Sequence, residues 1–383
     1  PLILNVLFKL LNELEDNQLS RLLMKQTDNK LIPFYNGKVR SMTDIGYNLL
    51  LMTASNRISA FNKHLTIVPD KGVLLNAMSA WWFNKTKHII DNHYLFSQDN
   101  HMIVKRCEPI MLEIIVRGYM TGSSETSIWT KYKNGDRTMY GLKFRDGYKK
   151  NEILDKIIIT PTTKGDVDVP ITRNEIIDKK ILTEEQTDFV FEKAKELFIF
   201  GMNEAKSKGL ILVDTKYEFG IYNNKIILMD EIHTCDSSRY WKLDTYNNLF
   251  NSGKEPEKFD KDSIRDFVKM NYNDEEIKNN KKFDIPDSVV DKVNNVYHQY
   301  YEMLTSEKFI ISSNEILSSE TIVQKYFNEC HKELVVIMAG SLSDRYHVEN
   351  IQRHLVKQNL YSIAHYKSAH KNTKEVMDIL DIY

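Results

Sequence analysis

The densest run of chemistry-bearing side chains is Asp214-Thr215-Lys216-Tyr217-Glu218-Phe219-Gly220, followed by Asp230-Glu231. Alternate side chains of a strand share a face. Asp214, Lys216 and Glu218 therefore lie on one side, and Val213, Thr215, Tyr217 and Phe219 on the other. Asn223-Asn224 marks a hairpin turn whose length decides which acid joins them. A two-residue loop pairs Lys216 with Glu231, whereas a three-residue loop that includes Lys225 pairs Glu218 with Asp230. Two facing carboxylates suit Mg²⁺, which takes oxygen ligands and keeps phosphate and water as the others. The plainer reading is a solvent-facing ladder of salt bridges. The adjoining strands are wholly apolar, which implies burial, and buried charges are costly unless they serve a purpose.

Four further segments suit anions. Glu113 to Ser124 contains Arg117-Gly118-Tyr119-Met120-Thr121-Gly122-Ser123, in which small residues after a strand expose backbone N–H groups and Arg117 adds a bidentate donor. Asp236-Ser237-Ser238-Arg239 repeats the theme, although such an Arg is commonly a surface ion pair. Gly37-Lys38-Val39-Arg40 sets two cations on a strand edge, where they would face nucleotide phosphates or simply solvent. Neither GxxxxGK[ST] nor GxGxxG occurs, so no Walker loop or dinucleotide fold is indicated. Near the end, Ala339-Gly340-Ser341-Leu342-Ser343-Asp344 stands between a strand and a helix pattern and would present a helix N-terminus to a phosphate. His370, in Ser368-Ala369-His370-Lys371, is a candidate general acid/base because histidine is the residue type suited to that role near neutral pH, though a lone His is more often a plain polar residue.

The elements that must position these groups follow from periodicity. Tyr35 to Ser59 reads as strand, turn and strand, with the turn around Asp44-Ile45-Gly46. Leu74 to Ile90 is a helix with Leu75, Met78, Trp82 and Phe83 near one face. Met102 to Val116 is β-like and broken by Pro109, and Lys131 to Lys150 is loop-rich. Thr183-Glu184-Glu185-Gln186 is a capping box opening a helix that stops at Gly209, and Leu210 to Val213 then enters the hairpin. Between Gly253 and Asp287 one helical segment falls at Ile264 to Lys269, and Pro286-Asp287-Ser288 opens another helix running through Tyr300. Ser312 to Ser319 reads as a linker. Leu334 to Met338 begins a fresh strand–loop–helix pattern, which Leu360 to Tyr366 continues.

A chain of 383 residues is long enough for two domains and a further fragment. Lys and Arg number 52 against 53 Asp and Glu, a net charge of −1, which excludes a globally basic nucleic-acid binder. With 42% hydrophobic residues the composition is globular, not disordered. Cys107, Cys235 and Cys330 form no CxxC pair, so a disulfide framework or zinc site is not expected and a reducing cytosol fits. No run approaches the roughly 18 apolar residues of a membrane span. Pro1 to Phe8 is expected to be a packing helix and not a signal peptide. A start at Pro1 in place of Met is expected of a trimmed chain or fragment.

Together these segments resemble the phosphoribosylaminoimidazole-succinocarboxamide (SAICAR) synthetase family. The resemblance is carried by Gly37-Lys38-Val39-Arg40, Asn56-Arg57-Ile58-Ser59-Ala60-Phe61, Arg117 to Ser123, Asp214 to Gly220, and Asp230-Glu231 with Asp236-Ser237-Ser238-Arg239, in the family's order over about residues 30–305. Ser124 to Trp129 and Thr160-Pro161-Thr162-Thr163-Lys164 look most like the plant-type branch. From Leu334 the chain resembles the start of the phosphoribosylaminoimidazole (AIR) carboxylase family, through Gly340 to Asp344 and Ser368 to Lys371. The whole looks similar to the bifunctional enzyme carrying both activities, cut inside its second domain.

The resemblance implies an α+β fold. A small antiparallel β lobe for ATP, with an N-terminal helix, would span 1–108, and a larger α+β substrate lobe 109–305. A linker over 306–333 would lead to an incomplete α/β, flavodoxin-like segment at 334–383. It further implies a cytoplasmic, ATP- and Mg²⁺-dependent ligase that joins L-aspartate to carboxyaminoimidazole ribonucleotide (CAIR) through an acyl phosphate. Its partners would be small-molecule substrates, with no nucleic acid or membrane and with a homo-oligomer left open. In that reading Lys38, Arg40 and Lys105 serve ATP, Glu218 and Asp230 hold Mg²⁺, and Arg117, Ser123, Lys164, Asp236 and Arg239 bind substrate. Asp214 and Lys216 orient the reacting groups, and the hairpin takes the register facing Glu218 with Asp230. Ser341, Ser343, Asp344 and His370 would be the carboxylase-like remnant, too short by itself for carboxylation. Ser41, Asn56 and Asn62 stand where the family usually has Asp. They motivate the alternative, a ligase-like scaffold without turnover, against which stand the retained Lys216, Glu218, Asp230 and Arg239. A kinase-like phosphotransferase is excluded because H-R-D and D-F-G are missing.

Overall fold

The computed structural model describes residues 31–46, 48–61, 63–124, 127–165, 168–259, 261–279, 282–310, 316–330, 334–357 and 361–366. The expected N-terminal helix, Asn62, His370 and part of the expected linker lie outside the described residues. The chain forms two compact units. One comprises Asn36–Ser41 and Met52–Ile316, and the described residues of the other fall within Pro1–Tyr35, Met42–Leu51 and Leu317–Tyr383.

The larger unit is built on an antiparallel sheet containing β1 (Leu112–Met120), β2 (Glu152–Ile159), β3 (Leu210–Tyr222), β4 (Lys225–Met229) and β5 (Ser238–Lys242). The path runs β2-β1-β3-β4, with β5 also on β3. Strand β3 is long enough to serve two sets of neighbours. Its first part pairs with β1 and β5, and its last part with β4 and with Glu108–Pro109. Leu210, Ile211, Leu212 and Val213 are all buried, as an unbroken apolar run inside a covered sheet should be.

Helix α1 (Lys71–Thr86) starts and stops earlier than its hydrophobic spacing suggests. Leu74, Leu75, Met78, Trp82 and Phe83 are wholly buried, so the helix is covered on more than one face. The stretch expected to be a loop holds α2 (Ile128–Lys133) and a hairpin pairing Thr138 with Lys143 and Met139 with Leu142. Helix α3 (Glu184–Ser207) opens on the expected capping box: Gln186 N–H donates to Thr183 Oγ1 at 3.2 Å, and Thr183 N–H to Gln186 Oε1 at 3.0 Å. It ends just before Gly209, whose φ of 76° favours glycine. Helices α4 (Asp262–Asn271) and α5 (Asp287–Thr305) follow.

The β3–β4 hairpin corrects one expectation. Tyr222 pairs with Lys225 and Glu218 with Met229, so the loop has two residues and Glu218 does not face Asp230. The cause is conformational. Asn223 and Asn224 have φ of 48° and 61°. Asn tolerates this region, and a two-residue loop with both φ positive matches the right-handed twist of the strands. Strand β4 ends at Met229, and Asp230 leaves it with φ of 67°.

In the smaller unit, helix Ser319–Cys330 precedes two strands, Leu334–Ala339 and Tyr361–Tyr366, that pair in parallel and are connected through helix Arg345–Lys357. This is a single βαβ crossover. With antiparallel sheets and segregated helices elsewhere, the chain is α+β.

Candidate active site

The register of the central sheet sets Asp214 opposite Arg117 of β1 on one side and Arg239 of β5 on the other. Asp214 Oδ2 accepts from Arg117 Nη1 at 3.0 Å and from Arg239 Nη2, and Asp214 Oδ1 accepts from Arg239 Nε at 2.8 Å. Arg117 Nε donates to Thr160 Oγ1 at 2.8 Å, which fixes that guanidinium further. Asp214, expected beside the reacting groups, thus hydrogen-bonds two guanidiniums and fixes their position relative to each other.

The two arginines border a cleft of about 300 Å³ that Ser123, Asp214 and Asp236 also line. Gly122 opens the Ser123 turn with φ of 118°, and a Cβ there would lie 2.4 Å from Ser127 Cβ. Ser127 in turn accepts from Thr130 N–H and caps α2. The loop is drawn against this helix start as only glycine allows.

Alongside runs a chain of alternating charges. Lys216 Nζ donates to Glu113 Oε1 and to Glu218 Oε1, both at 2.8 Å, and Lys164 Nζ donates to Glu218 Oε2. Glu218 is buried. Burial pushes its carboxyl up, but the two ammonium groups outweigh this and hold it below the usual range. Burial pulls Lys216 down, while Glu218, Asp230 and Glu113 raise it well above its ordinary value.

Arg40 grips Glu231 through two hydrogen bonds of 2.9 Å and lies 3.8 Å from Asp230. Its segment is fastened by Ser55 N–H to Val39 O at 2.8 Å and Arg57 Nη2 to Gly37 O at 3.0 Å. Lys38 in that turn is exposed. Lys105 Nζ donates to Asn92 O at 3.1 Å. Asn56 Oδ1 accepts from Gly72 N–H at 2.9 Å in the first turn of α1, a task any side-chain oxygen acceptor can perform.

Asp236 is held from several sides. Lys71 Nζ lies 2.8 Å from Oδ2, Tyr297 donates to Oδ1, and Lys261 Nζ is 3.8 Å away. Burial pushes the Asp236 carboxyl up, but Lys261, Lys71 and Tyr297 carry it far below the usual range. Beneath this loop Tyr240 and Tyr300 both donate to His233 O, and Trp82 Nε1 donates to Tyr300.

Arg117, Ser123, Asp214, Asp236 and Arg239 therefore share one cleft, with Glu113 linking it to Lys216, Glu218 and Lys164. Lys38, Arg40, Lys105 and Asp230 are not among its lining residues. In the smaller unit Ser341 N–H donates to Asp344 Oδ2 at 2.9 Å and Ser341 Oγ meets Ser343 Oγ at 2.5 Å. Residue-by-residue reading missed Lys261 and Arg265, which line the cleft, and Lys71 beneath it. The available signal was weak: two cations four apart at the start of α4, in a stretch already rich in charge.

Glu218 and Asp230 are carboxylates, the kind of hard oxygen donor Mg²⁺ takes, and Lys216 interacts with both, although the two do not face each other in the hairpin register. No group of three or more His, Cys, Asp or Glu is arranged for a metal among the described residues. One or two carboxylates with phosphate oxygens and water completing the shell is the usual Mg²⁺–nucleotide pattern, so the donor chemistry of these two residues fits that ion while their register does not pair them.

The model of the SAICAR synthetase family matches residues 33–282. A putative phosphoribosylaminoimidazole-succinocarboxamide synthase 2 of Agrobacterium fabrum is 42% identical over 299 residues, 75% of this chain and 93% of that relative. A chloroplastic phosphoribosylaminoimidazole-succinocarboxamide synthase of Arabidopsis thaliana is 48% identical over 240 residues, 62% of this chain and 58% of its own length. Among solved structures, a SAICAR synthase from Saccharomyces cerevisiae complexed with SAICAR matches with a TM-score of 0.64 at 31% identity, covering 74% of this chain and 97% of its own. These likenesses define a ligase of purine biosynthesis. The chain belongs to the SAICAR synthetase family. No helix among the described residues is long and apolar enough to cross a membrane.

Proposed function

We propose that this chain condenses L-aspartate with CAIR at the expense of ATP, in the cytosol. The carrying observation is the pair of guanidiniums held by Asp214 in a cleft that Glu113 connects to the Lys216–Glu218–Lys164 chain. Arg117 and Arg239, with Ser123, bind the ribonucleotide phosphate, for which paired guanidiniums are the matching fork. Lys261 and Arg265 add positive charge to the same cleft. Support for a ribonucleotide comes from the yeast relative, whose structure holds SAICAR.

A carboxylate oxygen of CAIR attacks the γ-phosphorus of ATP and ADP leaves. The aspartate amine then attacks the acyl carbon, phosphate departs with that oxygen, and the amine proton passes to solvent. Several anionic groups meet in this sequence, so preplaced cations carry much of the stabilisation. Lys164 and Lys216 flank the acyl phosphate, and Asp236 takes part in holding the ribonucleotide. Lys38 and Lys105 serve the ATP phosphates. Arg40 does so while bound to Glu231, which fixes its direction. Glu218 and Asp230 hold Mg²⁺, which supplies charge neutralisation to the phosphates when bound. Ser341, Ser343 and Asp344 belong to a carboxylase-like βαβ segment that this reaction does not use.

The test is ADP release by the purified chain with Mg²⁺-ATP and CAIR, with and without L-aspartate. Aspartate-dependent release is expected. Binding of CAIR without any release would instead support a scaffold that has lost turnover.

A further inference from the structure

Tyr140 stands at the tip of the hairpin that joins Thr138–Met139 to Leu142–Lys143, a loop of two residues. Its φ is 54° and that of Gly141 is 73°. The second position holds the residue such a loop favours; the first does not. A bulky aromatic in the left-handed region is a true outlier, costly by about 1 kcal/mol or more, and such outliers gather at functional sites. The ring packs against the cluster formed by Met120, Ile128, Tyr132 and Met139, and Lys131 Nζ lies 5.8 Å from its centroid. Tyr140 also lines the cleft, together with Arg117, Ser123 and Arg239.

Burial raises the Tyr140 phenol above its ordinary value, and Arg117 pulls it partly back. The hydroxyl therefore keeps its proton at neutral pH and can donate it in a hydrogen bond. Asn, Asp or Gly would relieve the strained backbone but would not bring a hydroxyl to this wall of the cleft.

We propose that Tyr140 is a specificity-determining residue whose phenol O–H donates to the phosphate of the ribonucleotide held by Arg117 and Arg239. This rests on the ribonucleotide reading above. A neutral donor adds affinity for a phosphate monoester without adding charge to a cleft already rich in cations, and it offers nothing to the unphosphorylated riboside.

The experiment compares wild type, Tyr140→Phe and Tyr140→Asn in the ADP-release assay and in direct CAIR binding by calorimetry. Inorganic phosphate is included as a competitor of CAIR. A hydrogen bond to a charged group is worth roughly tenfold or more in affinity. Tyr140→Phe keeps the ring and its packing, and should raise the KM for CAIR and the inhibition constant of phosphate by about tenfold. The values of kcat and of KM for aspartate should stay within about twofold, because the contact is equal in ground and transition states. Tyr140→Asn, which keeps a residue suited to the left-handed backbone but loses ring and hydroxyl together, should lose at least as much affinity. Unchanged KM and phosphate inhibition in the Phe variant, or a fall in kcat alone, would overturn the proposal. Wild type that neither releases ADP nor binds CAIR would overturn the ribonucleotide reading and this proposal with it. Wild type that binds CAIR without turnover leaves the calorimetric affinities of the three proteins to decide.

Discussion

Lys71 Nζ lies 2.8 Å from Asp236 Oδ2, with the lysine side chain wholly excluded from solvent and that of Asp236 4% exposed. A lysine is seldom placed so deep without a charge to answer it. This pair ties the first turn of α1 to the loop that, with Arg117 and Arg239, lines the cleft.

Removing one partner leaves the other charge buried and alone. Lys71→Met should cost about 3–5 kcal/mol, measured as the shift in urea unfolding at pH 7. The double variant Lys71→Met/Asp236→Leu should recover most of that stability yet bind CAIR poorly. A single variant as stable as wild type would show that Lys261, 3.8 Å from Asp236, suffices as its counter-charge.

Two buried histidines set a pH dependence. Burial pulls His233 down to about 3 and His93 to about 4, from an ordinary value of 6.5. Both are neutral when folded and bind protons when unfolded, so stability is complete above pH 6.5 and falls as pH drops through the window from 6.5 to about 4 for His93 and to about 3 for His233. At pH 5 each should remove about 2 kcal/mol. Urea midpoints from pH 7.5 to 4.5 should trace this loss, and His233→Asn, chosen because residue 233 has φ of 53°, should flatten it by about half. A flat profile in the wild type would contradict the neutral, buried state of both rings.

The hairpin loop offers a third test. With φ of 61° at Asn224, Asn224→Gly should be neutral or stabilising by a few tenths of a kcal/mol, whereas Asn224→Val should cost about 1–2 kcal/mol. Melting temperatures of the two variants check the pair, and a harmless Val would mean the loop is not left-handed at this position.

That hairpin also shows where legibility ended. Alternation along β3 correctly grouped Lys216 with Glu218, and Asn223-Asn224 correctly marked the turn. The register hung on whether Lys225 joins the loop, which backbone dihedrals decide and the chemistry of the acids does not. Thr183 and Gln186 were legible because a capping box is local, with both partners within one helical turn. Lys71, Lys261 and Arg265 were not, since nothing in their own neighbourhoods distinguishes them from solvated cations. Their roles arise only where α1 and α4 meet the Asp236 loop. Asp214 was legible as a site residue, but its contacts were not, because a carboxylate between two arginines on adjacent strands is a fact of sheet order and not of spacing.

Glu218 bears most directly on the chemistry. Its side chain is 5% exposed and its two oxygens take Lys216 and Lys164. Glu218→Gln keeps the volume but removes the charge that faces both ammonium groups, leaving an amide N–H₂ turned toward one of them. Kcat should fall by about 10²–10³-fold, since the preplaced cations lose their anchor and Mg²⁺ loses a donor. Stability should drop by about 1.5–3 kcal/mol, the range for hydrogen bonds to charged groups. The expected signature is a loss of turnover out of proportion to the loss of stability, with CAIR affinity by calorimetry within a few-fold of wild type because Arg117 and Arg239 are untouched. Activity surviving within a few-fold would remove Glu218 from the catalytic machinery. An equal collapse of CAIR binding would mean that the Lys216–Glu218–Lys164 chain holds the ribonucleotide and not the phosphoryl group in transfer.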